Sequence, residues 1–321
     1  MSFFLNRGRF LRRVLGGVAI AAALVACGGG TSQYEEFHPG RVIVFGDENS
    51  LLTSAGKRWA INNVTVDSTT KVETFACKSN PIWVQRVASN YGFVFEQCNP
   101  DNGNVQAFMR AADGALVADL QAQIDAQIAA GGFRSNDLTT VMIGANDILE
   151  LYKQYPTRTS ADLKAEAVAR GKTLATQVNR LVDLGARILL SNVPDMGLSP
   201  YALNEKSLNT DVDRAAFISD LVQAFNESLG TNIVIDGRYI GLVQSDVRVQ
   251  LMKKSPSSFE LVNVKDAACL ATAELPDCNT TTLVDKATNS NYLWADDWHL
   301  STRAHYEIGG LAIKRAEDNP F

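Results

Sequence analysis

The stretch Val42–Ser50, VIVFGDENS, decides how the fold of this 321-residue chain is interpreted. Its apolar beginning has the length and composition of a buried β-strand, and Gly46-Asp47 indicates a sharp turn at the end of that strand. The residue after Gly-Asp is Glu48, and the first hydroxyl group of the turn belongs to Ser50. The question that follows is which of these two side chains the turn presents to the rest of the molecule.

Outward from this stretch, apolar runs typical of strands alternate with patterns of helical spacing. The runs predict strands at 41–45, 138–144, 186–193 and 232–237, and the patterns predict helices at 118–130, 160–184 and 211–229. Ser160 is the expected N-cap of the middle helix, and Gly185 ends it. This alternation predicts an α/β fold with a central parallel sheet covered by helices on both faces, a three-layer α/β/α sandwich. In such a sheet, functional side chains gather in loops at the carboxyl ends of the strands.

The composition fits one large α/β domain or two small ones, with 46% hydrophobic and 20% charged residues. The formal net charge of −5 provides no basic field, which argues against nucleic acid as a partner. Two segments, 57–98 and 244–291, show no regular pattern. We expect them to shape a cleft rather than to form domains.

The first 26 residues have the pattern of an export signal. Four arginines within residues 7–13 precede the apolar run 14–26, which is too short to cross the roughly 30 Å hydrocarbon core of a bilayer as a stable helix. The run ends in LVAC at 24–27, which resembles the lipobox of bacterial lipoproteins. An ordinary signal peptide with a chance cysteine is the alternative.

If the lipobox is genuine, residues 1–26 are removed and acyl chains on Cys27, such as palmitate, anchor the protein in the membrane. Residues 27–40, which begin with a glycine-rich run, then form a flexible tether. Gly28 stands where an aspartate would indicate the inner membrane, so we expect an exported protein in the outer membrane, facing the periplasm or the cell surface.

Four cysteines remain after Cys27, and in an exported chain they are expected to form two disulfides. Of the three possible pairings we favour the two short loops, Cys77–Cys98 and Cys269–Cys278. Neither CxxC nor histidine-rich spacing indicates a metal site. We therefore expect neither a metal nor an organic cofactor.

Three further motifs fall where such a fold displays chemistry. They are VMIGANDIL at 141–149, RAADGALVADL at 110–120 and YLWADDWHLSTRAH at 292–305. Together with VIVFGD, and in this order, they resemble the GDSL or SGNH family of esterases and lipases; NVPDMGLSP at 192–200 resembles another stretch common in that family. The resemblance covers nearly the whole of residues 41–321 and implies one domain of the SGNH-hydrolase, flavodoxin-like type.

The resemblance also implies a role for each motif. His299 would be the base that deprotonates a nucleophile and then protonates the leaving alcohol, and Asp296 would hold its other ring nitrogen. The Asn146 side chain and the Gly114 amide would donate to the oxyanion, and one such donor is worth about 2.7–4 kcal/mol. Taken alone, Asn146 fits a helix cap and Gly114 an ordinary turn residue. His305 is expected to be a structural hydrogen-bonding residue on the last helix.

The chain departs from the family pattern at Glu48, because serine follows Gly-Asp in that pattern. Ser50 can serve as nucleophile only if the backbone undoes a rotation of about 200°. Glu48 beside His299 would form an ion pair and raise the pKa of the histidine, and carboxylate nucleophiles are better known from glycosidases. A third possibility is a site that has lost its catalytic activity on an intact fold.

We interpret the chain as an ester hydrolase with Ser50, His299 and Asp296 as its triad. Its substrate would be a lipid, an acetylated glycan or a small ester. The alternative is a catalytically silent surface lipoprotein that binds a glycan, a lipid or a protein partner.

Overall fold

A six-stranded parallel sheet lies at the centre of residues 37–321, the part of the chain that this computed structural model describes. Its strands are β1 (Arg41–Gly46), β4 (Val94–Phe95), β5 (Val105–Met109), β6 (Asp137–Met142), β7 (Arg187–Ser191) and β8 (Ile240–Val243). They are ordered β4-β5-β1-β6-β7-β8. When the short edge strand β4 is left out and the other five strands are renumbered in chain order, this is the flavodoxin-like order 2-1-3-4-5. The predicted sheet and its type are confirmed.

Eight α-helices and two small sheets complete the described residues. The helices are α1 (Trp83–Asn90), α2 (Leu120–Ala129), α3 (Ala145–Tyr152), α4 (Ser160–Asp183), α5 (Pro200–Leu208), α6 (Arg214–Asn232), α7 (Ser245–Lys254) and α8 (Thr302–Asp318). Strands β2 (Val64–Val66) and β3 (Glu73–Phe75) form an antiparallel hairpin, and β9 (Asn263–Ala267) pairs with β10 (Tyr292–Trp294) in parallel. None of these helices of residues 37–321 is long and apolar enough to span a bilayer.

Alternate residues of β1 enter two different hydrophobic cores, which gives the molecule its three layers. Ile43 and Phe45 pack with residues of helices α2 to α6. Val42 and Val44 pack with α1, α7 and α8 on the other face of the sheet. All four side chains are fully buried, as expected for a parallel strand covered on both faces.

Most predicted elements are confirmed, and two details are wrong. Ser160 is the first residue of α4, and the N-cap is Thr159, whose hydroxyl accepts from the Asp162 amide at 3.1 Å. The strand predicted at 232–237 does not exist, because α6 continues to Asn232 and the next strand begins at Ile240.

The two segments that lacked a sequence pattern are more regular than expected. The first contains the β2–β3 hairpin, α1 and β4, and the second contains α7 and β9. The pairs Cys77–Cys98 and Cys269–Cys278 form disulfides with Cα–Cα distances of 5.6 and 5.9 Å, which confirms the predicted pairing. Cys27 and residues 1–36 in general lie outside the described residues, so the signal peptide, the lipid anchor and most of the tether are not addressed.

The carboxyl ends of β5, β1 and β6 meet at the point where the strand order reverses, which is where ligands bind in open α/β sheets. The turn after β1 lies very close to β6. A Cβ atom on Gly46 (φ +136°) would lie 1.9 Å from the Met142 carbonyl oxygen, so only glycine fits there. This close approach brings the residues after Gly46 against the loop that leads into α3.

Candidate active site

Glu48 begins a single 3-10 turn, Glu48–Ser50, directly after β1. The turn is fixed by Asp47, whose Oδ1 accepts from the backbone and side-chain nitrogens of Asn49, both at 3.0 Å. Glu48 is only 2% exposed. Its carboxylate is therefore buried at the carboxyl edge of the sheet, and its charge needs partners there.

The partners of Glu48 are the two groups that the sequence predicts as oxyanion donors. The Gly114 amide, in the loop after β5, donates to Glu48 Oε2 at 3.0 Å. Asn146, in the first turn of α3, donates through Nδ2 to Oε1 at 3.0 Å and to Oε2 at 2.9 Å. The structure thus brings Gly114 and Asn146 together, with a carboxylate of the chain itself between them.

His299 and Asp296 lie in the loop between β10 and α8 and form the predicted pair. His299 Nδ1 lies 2.7 Å from Asp296 Oδ2. Asp296 Oδ1 accepts from the backbone amides of His299 and Trp298, at 2.7 and 3.0 Å, which holds the carboxylate in place. On the other side of the ring, His299 Nε2 lies 3.6 Å from Glu48 Oε1, an ion-pair distance that is too long for a hydrogen bond.

The pair of carboxylates makes His299 a cation at neutral pH. Burial disfavours the charged ring, but Asp296 and Glu48 outweigh burial and raise the pKa of His299 to about 9. Burial would also raise the pKa of Glu48, yet His299 and Asn146 lower it overall. Burial would raise the pKa of Asp296 as well, but His299 and the backbone amides of His299 and Trp298 lower it overall. The expected ion pair between Glu48 and His299 is formed, and a protonated His299 cannot act as a base.

Ser50 does not join this group. Its side chain is fully buried, and its hydroxyl accepts from Trp83 Nε1 at 3.1 Å. Within residues 37–321 the Ser50 hydroxyl makes no hydrogen bond with His299, so the contact that the triad requires is not formed. The physical reason is the 3-10 turn, which directs Glu48 toward His299 and Ser50 toward α1.

A cavity of about 540 Å³ opens beside His299. The loop closed by the Cys269–Cys278 disulfide lines it, together with Tyr201 and Trp298. The ring of Trp298 lies against that of His299, with 3.7 Å between the ring centroids. Lys153 also lines the cavity, and within residues 37–321 it forms no ion pair. The expectation that the second patternless segment shapes the cleft is confirmed.

Sequence reasoning missed the packing around these residues. His305, on α8, is fully buried, and within the described chain neither ring nitrogen has a hydrogen-bond partner, so the expected structural hydrogen bond is absent. Burial, with His299 and Arg58 nearby, lowers the pKa of His305 to about 3. Trp298 could have been noticed, because it lies inside the D-x-x-H motif, whereas no sequence signal links Trp83 to Ser50.

The described residues offer no group of three or more His, Cys, Asp or Glu side chains that could hold a metal ion. What the arrangement can do chemically depends on Glu48. With a hydroxyl in its place, Gly114 and Asn146 would face an oxyanion, and the His299–Asp296 pair would face the nucleophile.

Comparisons with known proteins agree with the motifs. The model of the GDSL-like lipase/acylhydrolase family matches residues 50–310. The phosphatidylcholine-sterol acyltransferase of Aeromonas hydrophila is 23% identical over 235 residues, which cover 71% of this chain and 64% of that protein, so the chain spans less than two thirds of that relative. Two solved structures are similar to this chain. An acetylxylan esterase from Geobacillus stearothermophilus is 14% identical, and the match covers 89% of this chain and 98% of that chain with a TM-score of 0.43. A lipase from a goat rumen metagenome is 12% identical, and the match covers 88% of this chain and 99% of that chain with a TM-score of 0.47.

Proposed function

The chain belongs to the GDSL-like lipase/acylhydrolase family, and we therefore propose that residues 37–321 form a carboxylic-ester hydrolase domain whose acyl site Glu48 keeps closed near neutral pH. Membership of this family supports ester hydrolysis in general. One observation supports the closed state: Glu48 Oε2 accepts from both Gly114 N and Asn146 Nδ2, so the two donors meant for an oxyanion are occupied.

The proposed chemistry follows from the groups around Glu48. In an open site, neutral His299 takes a proton from the nucleophile, Asp296 holds the ring, and Gly114 and Asn146 stabilise the tetrahedral oxyanion. In the closed site the ester carbonyl has no free donors, and His299 already carries the proton that it would have to accept. Ester turnover by the unmodified chain is therefore low at neutral pH.

The test is the substitution Glu48→Ser, assayed with p-nitrophenyl acetate at pH 7. We expect turnover to rise by about 100-fold or more, the value of one freed oxyanion donor, because the donors, the base and a hydroxyl then coexist. Glu48→Gln is the matched control, since it keeps the side-chain shape and provides no hydroxyl. Adding His299→Ala to Glu48→Ser should abolish the gain. Fast turnover by the unmodified chain, lost in His299→Ala, would contradict a closed site.

A Ser-His-Asp mechanism through Ser50, His299 and Asp296 is the alternative to a closed acyl site. Ser50 shares the 3-10 turn with Glu48, and Trp83 is the one described partner of its hydroxyl. Labelling of the unmodified protein with a fluorophosphonate, followed by peptide mapping, tests this assignment. An adduct at Ser50 supports it, and the absence of an adduct removes it.

A binding protein without turnover is the alternative function, and the cavity beside His299 favours it. The cavity of about 540 Å³ has the size of a small-molecule site, and it stays open while the acyl site is filled. A glycan, a lipid or a protein segment could occupy it. The alternative gains support if neither the unmodified chain nor Glu48→Ser hydrolyses esters.

The location at the cell envelope is a separate proposal, carried by residues 1–27 of the sequence alone. Its test is metabolic labelling with radioactive palmitate followed by membrane fractionation. Label in the unmodified protein that disappears in Cys27→Ser supports a lipid anchor, and an unlabelled protein excludes it.

A further inference from the structure

We propose that the Gly114 amide, the Asn146 side chain and the His299 ring together form a recognition site for one carboxylate group. Glu48 fills this site from within the chain, and shortening Glu48 opens it to free short-chain carboxylates such as formate and acetate. This inference rests on the proposed function, because it concerns the same site. Short-chain carboxylates are the acid products that ester hydrolysis at this site would release.

The two oxygens of the Glu48 carboxylate share Asn146 as a donor and differ in their second neighbour. Oε2 accepts from Gly114 N at 3.0 Å and from Asn146 Nδ2 at 2.9 Å. Oε1 accepts from Asn146 Nδ2 at 3.0 Å and lies 3.6 Å from His299 Nε2. During acyl transfer the carboxyl group of an ester places one oxygen on the oxyanion donors and the other beside the histidine. The Glu48 carboxylate differs from this arrangement in that Oε1 also accepts from Asn146.

The length of the glutamate side chain explains this match. In an acylated serine, the acyl carbon is attached to Cβ through Oγ. In glutamate, the carboxyl carbon is attached to Cβ through Cγ, which is the same number of bonds. Glu48 follows Gly46-Asp47, where the resemblance to the family implies a serine, and its carboxylate accepts from Gly114 and Asn146, where an acyl group would lie. The side chain therefore resembles an acylated serine that cannot be hydrolysed.

Without this carboxylate, the Gly114 amide and the His299 ring each lose a partner, and within residues 37–321 Asn146 Nδ2 keeps only the Ala115 carbonyl oxygen, at 3.3 Å. His299 is 5% exposed, and Glu48 supplies one of its two carboxylate neighbours. Gly114 is exposed and Asn146 half-buried, so a small ligand can reach these two donors from solvent. A donor that lacks an acceptor in a partly buried site is unfavourable, and a small carboxylate that accepts from it removes this cost.

The experiment uses Glu48→Ala in the full domain, titrated with formate and acetate at pH 7. Binding is followed by NMR at the Gly114 amide and the His299 ring. We expect saturable binding in Glu48→Ala and none in the unmodified protein or in Glu48→Gln, in which the side chain still fills the site. Adding Asn146→Ala should weaken binding by about 10- to 100-fold, because one hydrogen bond to a charged group is lost. Acetamide, which has the same shape without the charge, should not bind.

Three results overturn the proposal: no binding in folded Glu48→Ala, equal binding after Asn146→Ala is added, or equal binding of acetamide. If Glu48→Ala fails to fold, the unmodified protein still decides the matter through its own His299. That ring should titrate well above 6.5, and Glu48→Gln should lower its pKa. A His299 pKa that is the same in the unmodified protein and in Glu48→Gln shows that the Glu48 carboxylate does not act on the ring, and it overturns the proposal.

Failure of this proposal and failure of the proposed function give different results. If Glu48→Ser gains no ester turnover while Glu48→Ala binds acetate, the carboxylate site stands and the hydrolase does not. If Glu48→Ser hydrolyses esters while Glu48→Ala binds nothing, the hydrolase stands and the carboxylate site does not.

Discussion

At the scale of single residues, Glu48 decides both the shape and the charge of the site, because its carboxylate accepts from Gly114 and Asn146 and lies beside His299. A serine would leave the oxyanion donors free and His299 with one carboxylate neighbour. Glu48 gives the His299 ring a second carboxylate neighbour. Asp47, which precedes Glu48, is fully buried, and burial together with the charge of Glu48 raises the pKa of Asp47 well above its usual value. The sequence allowed the ion pair to be predicted. It gave no indication that the same carboxylate would take both oxyanion donors.

This ion pair predicts how stability depends on pH. The pKa of His299 is about 9 in the folded protein and about 6.5 in the unfolded chain, so its contribution is complete below pH 6.5 and disappears as the pH rises through 9. We expect the free energy of unfolding to fall by about 3 kcal/mol between pH 6 and pH 9.5 on this account. Urea denaturation at both pH values measures the fall.

The matched control for this prediction is His299→Gln, which keeps a polar side chain that does not titrate. Its free energy of unfolding should change much less over the same pH interval, and Glu48→Gln should show an intermediate slope. Equal slopes in the unmodified protein and in His299→Gln would show that the ring is not a buried cation.

At the scale of elements, the local sequence predicted the strands and helices that the two hydrophobic cores bury. The prediction failed where an apolar run lies outside a core. Residues 233–237 have the composition of a strand, but Asn232 still belongs to α6, with its side chain donating to the Ser228 carbonyl at 2.8 Å. Ile235 is 90% exposed. A short apolar run does not reveal whether a neighbouring strand is available to pair with it, and that depends on the fold as a whole.

The start of β1 is joined to β6 by a buried ion pair, and its loss should be costly. Arg41 donates through Nε and Nη2 to the two oxygens of Asp137, at 2.6 and 2.8 Å, and Asp137 is fully buried. Asp137→Ala leaves the Arg41 charge buried without its partner, so we expect a loss of about 3–5 kcal/mol in the free energy of unfolding. Denaturant titration monitored by circular dichroism measures it.

A surface pair on α8 provides the comparison. Lys314 and Asp318 lie at 2.8 Å, with side chains 72% and 53% exposed. Asp318→Ala should change stability by less than about 0.5 kcal/mol, since water already screens this pair. Replacing the whole buried pair, with Arg41→Met and Asp137→Leu together, should recover much of the loss. If Asp137→Ala proves as mild as Asp318→Ala, the ion pair does not join the two strands.

At the scale of the whole molecule, the site depends on contacts between distant parts of the chain. Gly114 and Asn146 are separated from Glu48 by 66 and 98 residues, and His299 comes from the loop before the last helix. The resemblance of the motifs to the family predicted these partners, and the strand order brings the carboxyl ends of β5, β1 and β6 together. The direction of each side chain within a turn could not be predicted in this way, and that direction decides whether Glu48 or Ser50 faces His299.

The disulfides provide the last prediction, because each closes a loop within one of the two segments that lacked a sequence pattern. Cys77–Cys98 closes a loop with a sequence separation of 21, and Cys269–Cys278 one of 9. If each disulfide acts by limiting the conformations of the unfolded chain, replacing either cysteine pair by serines should lower the free energy of unfolding by about 3 kcal/mol. The loss should be about 0.7 kcal/mol larger for Cys77–Cys98, which closes the longer loop, than for Cys269–Cys278. Only the Cys269–Cys278 replacement should also speed hydrogen exchange along the wall of the cavity beside His299, since that loop lines it. Unchanged exchange there would show that packing against β10 and its neighbours, rather than the disulfide, holds the cavity in shape.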